Sequence, residues 1–316
     1  MKQSEIGTEQ IDGDGIDRRG FLKCMQWAGT GVVWSLAAGV PVSELLGADG
    51  KKTKASDFTF VQISDTHMGF NRPANADVVG TLQATVNKIN ALPHQPDLIL
   101  HTGDLTHLAK AAEFDMLDQN LKALKQRDVF YVPGEHDVTG DDGKQYLERF
   151  GKGSKGTGWR SFDHKGVHFV GLNNAAQLEG LGMIGREQLD WLKKDLVSIS
   201  ASTPVIVFAH IPLWAVYPEW GWATKDSTEA MEMLKRFGSV TVLNGHIHQV
   251  LQKVEGKVTF HTAMSTAFPQ PAPGSTPSAG PMTVPAERLR QVLGICEVSF
   301  VAKKQSLAVV DSPLQS

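Results

Sequence analysis

From Phe58 onward the chain repeats one pattern, a short β-branched or apolar run that ends in a cluster of polar residues. The runs cover 58–63, 98–100, 129–132, 167–172, 205–208, 240–243 and 258–260, and each predicts a strand. Between several of them apolar residues recur at helical spacing. Val78, Val79, Leu82, Val86 and Ile89 form one such series, Phe114, Leu117, Leu121 and Leu124 a second, and Leu189, Leu192, Leu196 and Ile199 a third. Strand and helix in alternation predict an α/β layered fold. Residues 268–285 are rich in Pro, Gly, Ser and Thr and carry no charge, so they read as a long loop. The apolar runs at 292–301 and 307–310 read as a closing hairpin.

Ahead of this pattern stands Asp17-Arg18-Arg19-Gly20-Phe21-Leu22-Lys23, followed by an uncharged, moderately apolar stretch to about Val42. Two adjacent arginines, a Phe-Leu pair and a lysine before an apolar region resemble a twin-arginine export signal. Gly29, Gly31, Gly39 and Pro41 leave the stretch short of the roughly 20 strongly apolar residues of a spanning helix. The same residues argue against an amphipathic first helix. Residues 1–48 are therefore expected to be a signal segment and 49–316 a single domain. This implies use of the twin-arginine export machinery and a periplasmic or cell-envelope location. No Ala-x-Ala cleavage site is obvious, so contact with the membrane is expected only where the segment is retained.

Outside 1–48 there are 27 basic and 28 acidic residues, a balance that gives no electrostatic reason to expect a nucleic-acid partner. Cys296 is alone in that part, Cys24 lying in the signal segment, so no disulfide can form within the domain. Core packing and bound metal must hold the fold.

The chemistry lies where the runs end. Asp65 and His67 follow the first, Asp104 the second, Glu135, His136 and Asp137 the third, His210 the fifth, and His246 and His248 the sixth. In open α/β sheets the ligand crevice opens at the carboxyl ends of strands, so these groups are expected to converge. Any one histidine would be read as structural, but five clusters at one strand position point to a metal site. Imidazole with carboxylate suits zinc, iron and manganese. Glycines precede Asp104, Glu135 and His246, as tight inward turns require.

The clusters stand as Asp65-Thr66-His67, Gly103-Asp104, Gly134-Glu135-His136-Asp137, His210 and Gly245-His246-Ile247-His248. Their order resembles the calcineurin-like metallophosphoesterase family, over Phe58 to about Phe268. The resemblance implies a four-layer α/β/β/α sandwich with two metal ions (Fe, Mn or Zn). It implies Asp65, His67 and His248 on one metal, His210 and His246 on the other, and Asp104 between them. It further implies hydrolysis of a small-molecule phosphate ester by metal-bound hydroxide, with His136 beside the leaving group as proton donor or charge stabiliser. Asp137 would orient His136 or a neighbouring turn.

One position departs from the family pattern. Glu135 stands where Asn is usual; it can still ligate the second metal, but it cannot donate to phosphate. Two divalent ions against Asp65, Asp104 and Glu135 leave a charge of about +1 instead of about +2, which should favour phosphodiesters or one trivalent iron. The alternatives are a phosphomonoesterase of the same fold and a non-catalytic metal-binding relic.

Around the site, His107 is expected to hold a ligand in place, and Asn173 or Asn174 to supply the donor that Glu135 lacks. Trp214, in the aromatic group with Tyr217, Trp220 and Trp222, reads as packing or as a mobile wall that stacks on a nucleoside base or aromatic leaving group. The 268–285 loop covers the site or merely connects. His94, His164, His168 and His261 read as surface or structural residues.

Overall fold

The computed structural model describes residues 31–37, 40–46, 57–176, 180–302 and 306–315. The arginine motif at 17–23 lies outside them. Two units are distinct, Met1–Lys52 and Thr53–Ser316. In the first, β1 (Gly31–Ala37) pairs antiparallel with β2 (Val40–Leu46). Among the described residues no helix is long and apolar enough to cross a membrane.

Among the described residues, the second unit contains two sheets. One runs β13 (Ser306–Pro313), β12 (Gly294–Val301), β3 (Phe58–Ile63), β4 (Leu98–His101), β5 (Val129–Tyr131). The other runs β10 (Gln252–Glu255), β11 (Val258–Thr262), β9 (Val240–Asn244), β8 (Val205–Ala209), β7 (Val167–Leu172), β6 (Arg160–His164). β3, β4 and β5 are mutually parallel, as are β7, β8, β9 and β11, so within each sheet their carboxyl ends share one edge.

Alternation along each strand divides the core into three layers. Phe58 and Phe60 of β3 meet Phe169 and Phe208 between the sheets. Val61 and Ile63 face outward to Leu82 and Val86 of α1 (Val78–Asn90) and Phe114 of α2 (Ala111–Leu121). On the opposite side, Val205, Val207 and Val242 meet Leu189 and Leu192 of α5 (Arg186–Val197) and Leu234 of α6 (Ser227–Leu234). The result is the expected α/β/β/α sandwich, and its central strands read as unbroken apolar runs because both faces are covered.

Two short helices, α3 (Glu135–Val138) and α4 (Lys144–Phe150), follow β5. The apolar pattern does not reveal β6 or β10. β10 is an edge strand with all four residues exposed, so nothing forces alternation on Gln-Lys-Val-Glu. β6 has one large apolar residue, Phe162, stacked 3.9 Å from Phe130 and 4.8 Å from Phe169.

Candidate metal centre

The loops leaving β3, β4 and β9 are strained at the residues that matter. Asp65 (φ 55°), His67 (41°), Asp104 (51°), His246 (70°) and His248 (53°) all occupy the left-handed region, which non-glycine residues rarely adopt. The loops are tied to one another: Asp65 N–H donates to Gly103 O at 3.0 Å, His67 N–H to Asp104 O at 2.9 Å and Gly245 N–H to His210 O at 3.0 Å. Glycine permits the closest approaches. A Cβ on Gly134 would collide with the Asp104 carboxylate, and one on Gly245 with Ser64 Oγ while standing 2.7 Å from Asp65 Oδ2.

Seven side chains from five loops thereby converge in two groups, Asp65, His67 and His248 in one, Asp104, Glu135, His210 and His246 in the other. In the first, His67 Nε2 lies 3.2 Å from His248 Nε2, which lies 3.3 Å from Asp65 Oδ1. In the second, His210 Nε2 lies 2.9 Å from Glu135 Oε2, His246 Nδ1 2.9 Å from Glu135 Oε1, and the two ring nitrogens 3.2 Å apart. Asp104 Oδ2 belongs to both, 3.5 Å from His67 Nε2 and 3.3 Å from His210 Nε2. Atoms about 2.0–2.2 Å from one ion at tetrahedral or octahedral angles are about 2.9–3.5 Å apart, so these spacings match the edges of coordination polyhedra.

Protons alone do not explain them. His210 Nδ1 contacts Thr102 O at 2.7 Å and His248 Nδ1 contacts Phe268 O at 2.5 Å. A carbonyl only accepts, so both Nδ1 atoms donate and each Nε2 is turned toward carboxylates. Glu135 Oε2 is buried and faces His210 Nε2 at 2.9 Å. Among the side chains alone, burial pulls the His210 ring down but Asp104 and Glu135 override it and hold it well above its ordinary value. Burial likewise pushes Glu135 up, yet His246 and His210 hold it well below the usual carboxylate range. His67 is held well below by burial and by the imidazoles of His136 and His248. A donor set of three carboxylates and four imidazoles with facing lone pairs fits two cations.

The other expected residues separate on geometry. His136 Nδ1 donates to His107 O at 2.6 Å; its ring stacks 4.8 Å from the His107 ring and meets the His67 ring edge to face at 4.8 Å, so both stand at the centre. Asp137 reaches the neighbouring turns: its buried carboxylate accepts from Leu105 N, Thr106 N, Thr106 Oγ1 and Gly134 N at 2.8–3.0 Å. It is a positioning residue that joins the Asp104 loop to the Glu135 loop. Asn173 is placed elsewhere, its amide donating to Thr157 O at 2.7 Å and its oxygen accepting from Ala175 N. Asn174 holds the chain after His210 through Ile211 O at 2.7 Å. Trp214 packs on Phe260 at 5.0 Å beside a cavity of about 690 Å³ that none of the seven residues lines.

Sequence reasoning missed Ser265, Phe268 and Gln270. Ser265 Oγ donates to Asp65 O at 2.9 Å, the Phe268 ring lies 4.7 Å from both His67 and His248, and Gln270 Nε2 donates to His246 O at 2.9 Å. The start of the Pro-rich loop therefore covers the first group. The available signal was its position, directly after β11 at the edge where the ligand loops emerge.

Known proteins resemble this chain in sequence and in fold. A 3′,5′-cyclic-nucleotide phosphodiesterase of Nostoc sp. is 26% identical over 216 residues, 66% of this chain and 79% of that protein. A probable glycerophosphodiester phosphodiesterase of Arcobacter nitrofigilis is 27% identical over 217 residues, 65% of this chain and 77% of that one. The crystal structure of a dimetal phosphatase from Danio rerio superposes with a TM-score of 0.61 at 14% identity, covering 81% of this chain and 96% of that one. The model of the calcineurin-like phosphoesterase family matches residues 58–250, more than half of the chain. The chain belongs to the calcineurin-like phosphoesterase family and is a metal-dependent hydrolase of phosphoric esters.

Proposed function

We propose that the protein is an exported phosphodiesterase whose two metal ions are held by Asp65, His67 and His248 on one side and Glu135, His210 and His246 on the other. Asp104 joins the halves. The observation that carries this reading is the single oxygen Asp104 Oδ2, which stands within 3.5 Å of a ligand nitrogen of each half. When bound, the ion pair supplies Lewis acidity that neutralises phosphoryl charge and acidifies water. The chain does the rest. His107 O fixes Nδ1 of His136 as a donor, so a proton can leave only from Nε2 of the imidazolium form, which, against burial, Asp104 and Glu135 favour. Backbone N–H of His136 donates to Asp104 Oδ1 at 3.0 Å and holds the carboxylate with Oδ2 facing His67 and His210. The Phe268 ring shields His67 and His248 from solvent.

The preference for diesters rests on Glu135. Both of its oxygens face the second group, so the site gains a negative charge and presents no amide donor to a phosphate dianion. Both curated relatives described above are named for diester substrates. The test compares bis- and mono-(nitrophenyl) phosphate in wild type and Glu135→Asn. Wild type should favour the diester and the variant should shift toward the monoester; a monoester preference in both overturns the reading. Export is supported by the motif at 17–23 alone. Arg18→Lys with Arg19→Lys should keep the protein in the cytoplasmic fraction, and unchanged export would refute it.

A further inference from the structure

Away from this centre, a second set of ligand-type side chains meets between the sheets. Cys296, Val298 and Phe300 of β12 face the opposite sheet, as do Phe58 and Phe60 of β3, so alternation turns Gln62 the same way. Cys296 is the cross-strand neighbour of Gln62 on one side and of Asp311 on the other. From the six-stranded sheet comes His261: its neighbours Phe260 and Val258 face the helices, so it points inward. The ligand atoms of His261, Cys296 and Asp311 lie within 4.8 Å of one another, and His261 Nε2 is 3.0 Å from Asp311 Oδ1. His261 and Cys296 are fully buried, whereas the Asp311 side chain keeps 18% exposure, enough to mark an entry path.

An independent observation concerns Gln62. Its Nε2 donates to Asn244 O at 3.1 Å, and a carbonyl can only accept, so the amide orientation is fixed. The free atom is Oε1, a buried acceptor with no partner on the side chain next to Cys296. An orphan acceptor of this kind requires an explanation.

We propose that His261, Cys296 and Asp311 form a zinc site, with Gln62 Oε1 or an entering water as fourth ligand, that clasps the C-terminal hairpin to the six-stranded sheet. Thiolate, imidazole and carboxylate around one ion suit tetrahedral zinc. Gln252 lies 3.1 Å from His261 Nδ1, and its amide can turn to accept from Nδ1–H, which leaves Nε2 to the metal. Nothing here depends on the hydrolytic reading, because no residue of that centre takes part and that centre contains no sulfur.

The test strips the full-length chain of metal and reloads it with zinc, then with cobalt. Wild type should bind one equivalent more than either Cys296→Ser or His261→Gln and show thiolate-to-cobalt charge-transfer absorption. Cys296→Ser should lose the absorption. Cys24 stays in each of these proteins, so the difference reports on Cys296 alone. Wild type that shows no thiolate absorption, or absorption that survives in Cys296→Ser, overturns the proposal and leaves a hydrogen-bonded His261–Asp311 pair beside a packed thiol. Where a Cys296 variant fails to fold, a further protein with Cys24→Ser, in which Cys296 is the sole thiol, decides the question: absorption kept there supports the site and absorption lost there overturns it.

Discussion

Replacing Asp137 by Asn tests how the two halves of the centre are held in register. The carboxylate accepts at Oδ2 from Leu105 N (3.0 Å) and Gly134 N (2.9 Å), and at Oδ1 from Thr106 N (2.8 Å) and Thr106 Oγ1 (2.9 Å). Asn must put an NH2 at one of these positions. At Oδ2 it would confront two backbone N–H groups. At Oδ1 it confronts one, because the Thr106 hydroxyl can turn and accept. The second orientation wins and leaves one buried N–H unpaired, about 1–3 kcal/mol, while the remaining bonds lose charge assistance. Relief from burying a charge offsets part of this, so the expected net loss is about 2–4 kcal/mol. For a domain of this size that lowers Tm by roughly 5–15 °C. The loops of Asp104 and Glu135 should separate, and the second metal equivalent should bind more weakly than the first. Thermal melts with metal titration measure both. A variant that melts within about 1 °C of wild type and binds both equivalents unchanged refutes the argument.

His168 is buried between Asp163 Oδ1 at 2.7 Å and Asp195 Oδ2 at 2.9 Å. Burial pulls its pKa down, but the bonds to Asp195 and Asp163 outweigh this and raise it. The charged ring therefore stabilises the fold fully below the unfolded value of about 6.5 and less as pH rises through the folded value. His168→Gln should cost about 1–3 kcal/mol at pH 6 in urea melts, with a smaller gap at pH 9, and a gap that widens with pH contradicts this. Trp214→Ala should destabilise by about 1–3 kcal/mol through lost contact with Phe260 and leave KM unchanged; a raised KM with an unaltered melt would return Trp214 to the substrate site.

What was legible in the sequence follows from which residues burial constrains. β3, β8 and β9 are covered on both faces, so their apolar runs were unmistakable. The ligand-type residues stood out because parallel strands end at one edge and their loops must emerge there. Side-chain direction beyond a strand end was not legible. After Leu172 the two-residue alternation stops, and Asn173 turns to Thr157 instead of the centre. Trp214 lies four positions past His210 yet belongs to the helix-side core, because the chain bends outward after Ile211 is tied to Asn174. Phe268 and Gln270 were hidden for the opposite reason: a loop without periodicity gives no indication of which face it covers.

The backbone conformations explain why these loops need so much support. Left-handed residues other than glycine cost about 1–2 kcal/mol each. Asp and His tolerate the region better than most, but five of them still approach the whole net stability of a domain, about 5–15 kcal/mol. Glycine would relax the backbone and remove the ligand. At Gly103 (φ 95°) no side chain is needed and glycine is present; one residue later Asp104 must carry the carboxylate shared by both halves, and the strain stays. Relaxation and ligation therefore compete residue by residue. The bonds from Asp65 N to Gly103 O and from His67 N to Asp104 O settle that competition locally for the first loop, whose strained residues are fixed by the backbone of the loop beside it, while His246 N–H is held by the Asp65 carboxylate. The centre is consequently a property of paired loops, and a change that frees one loop disturbs ligands on both.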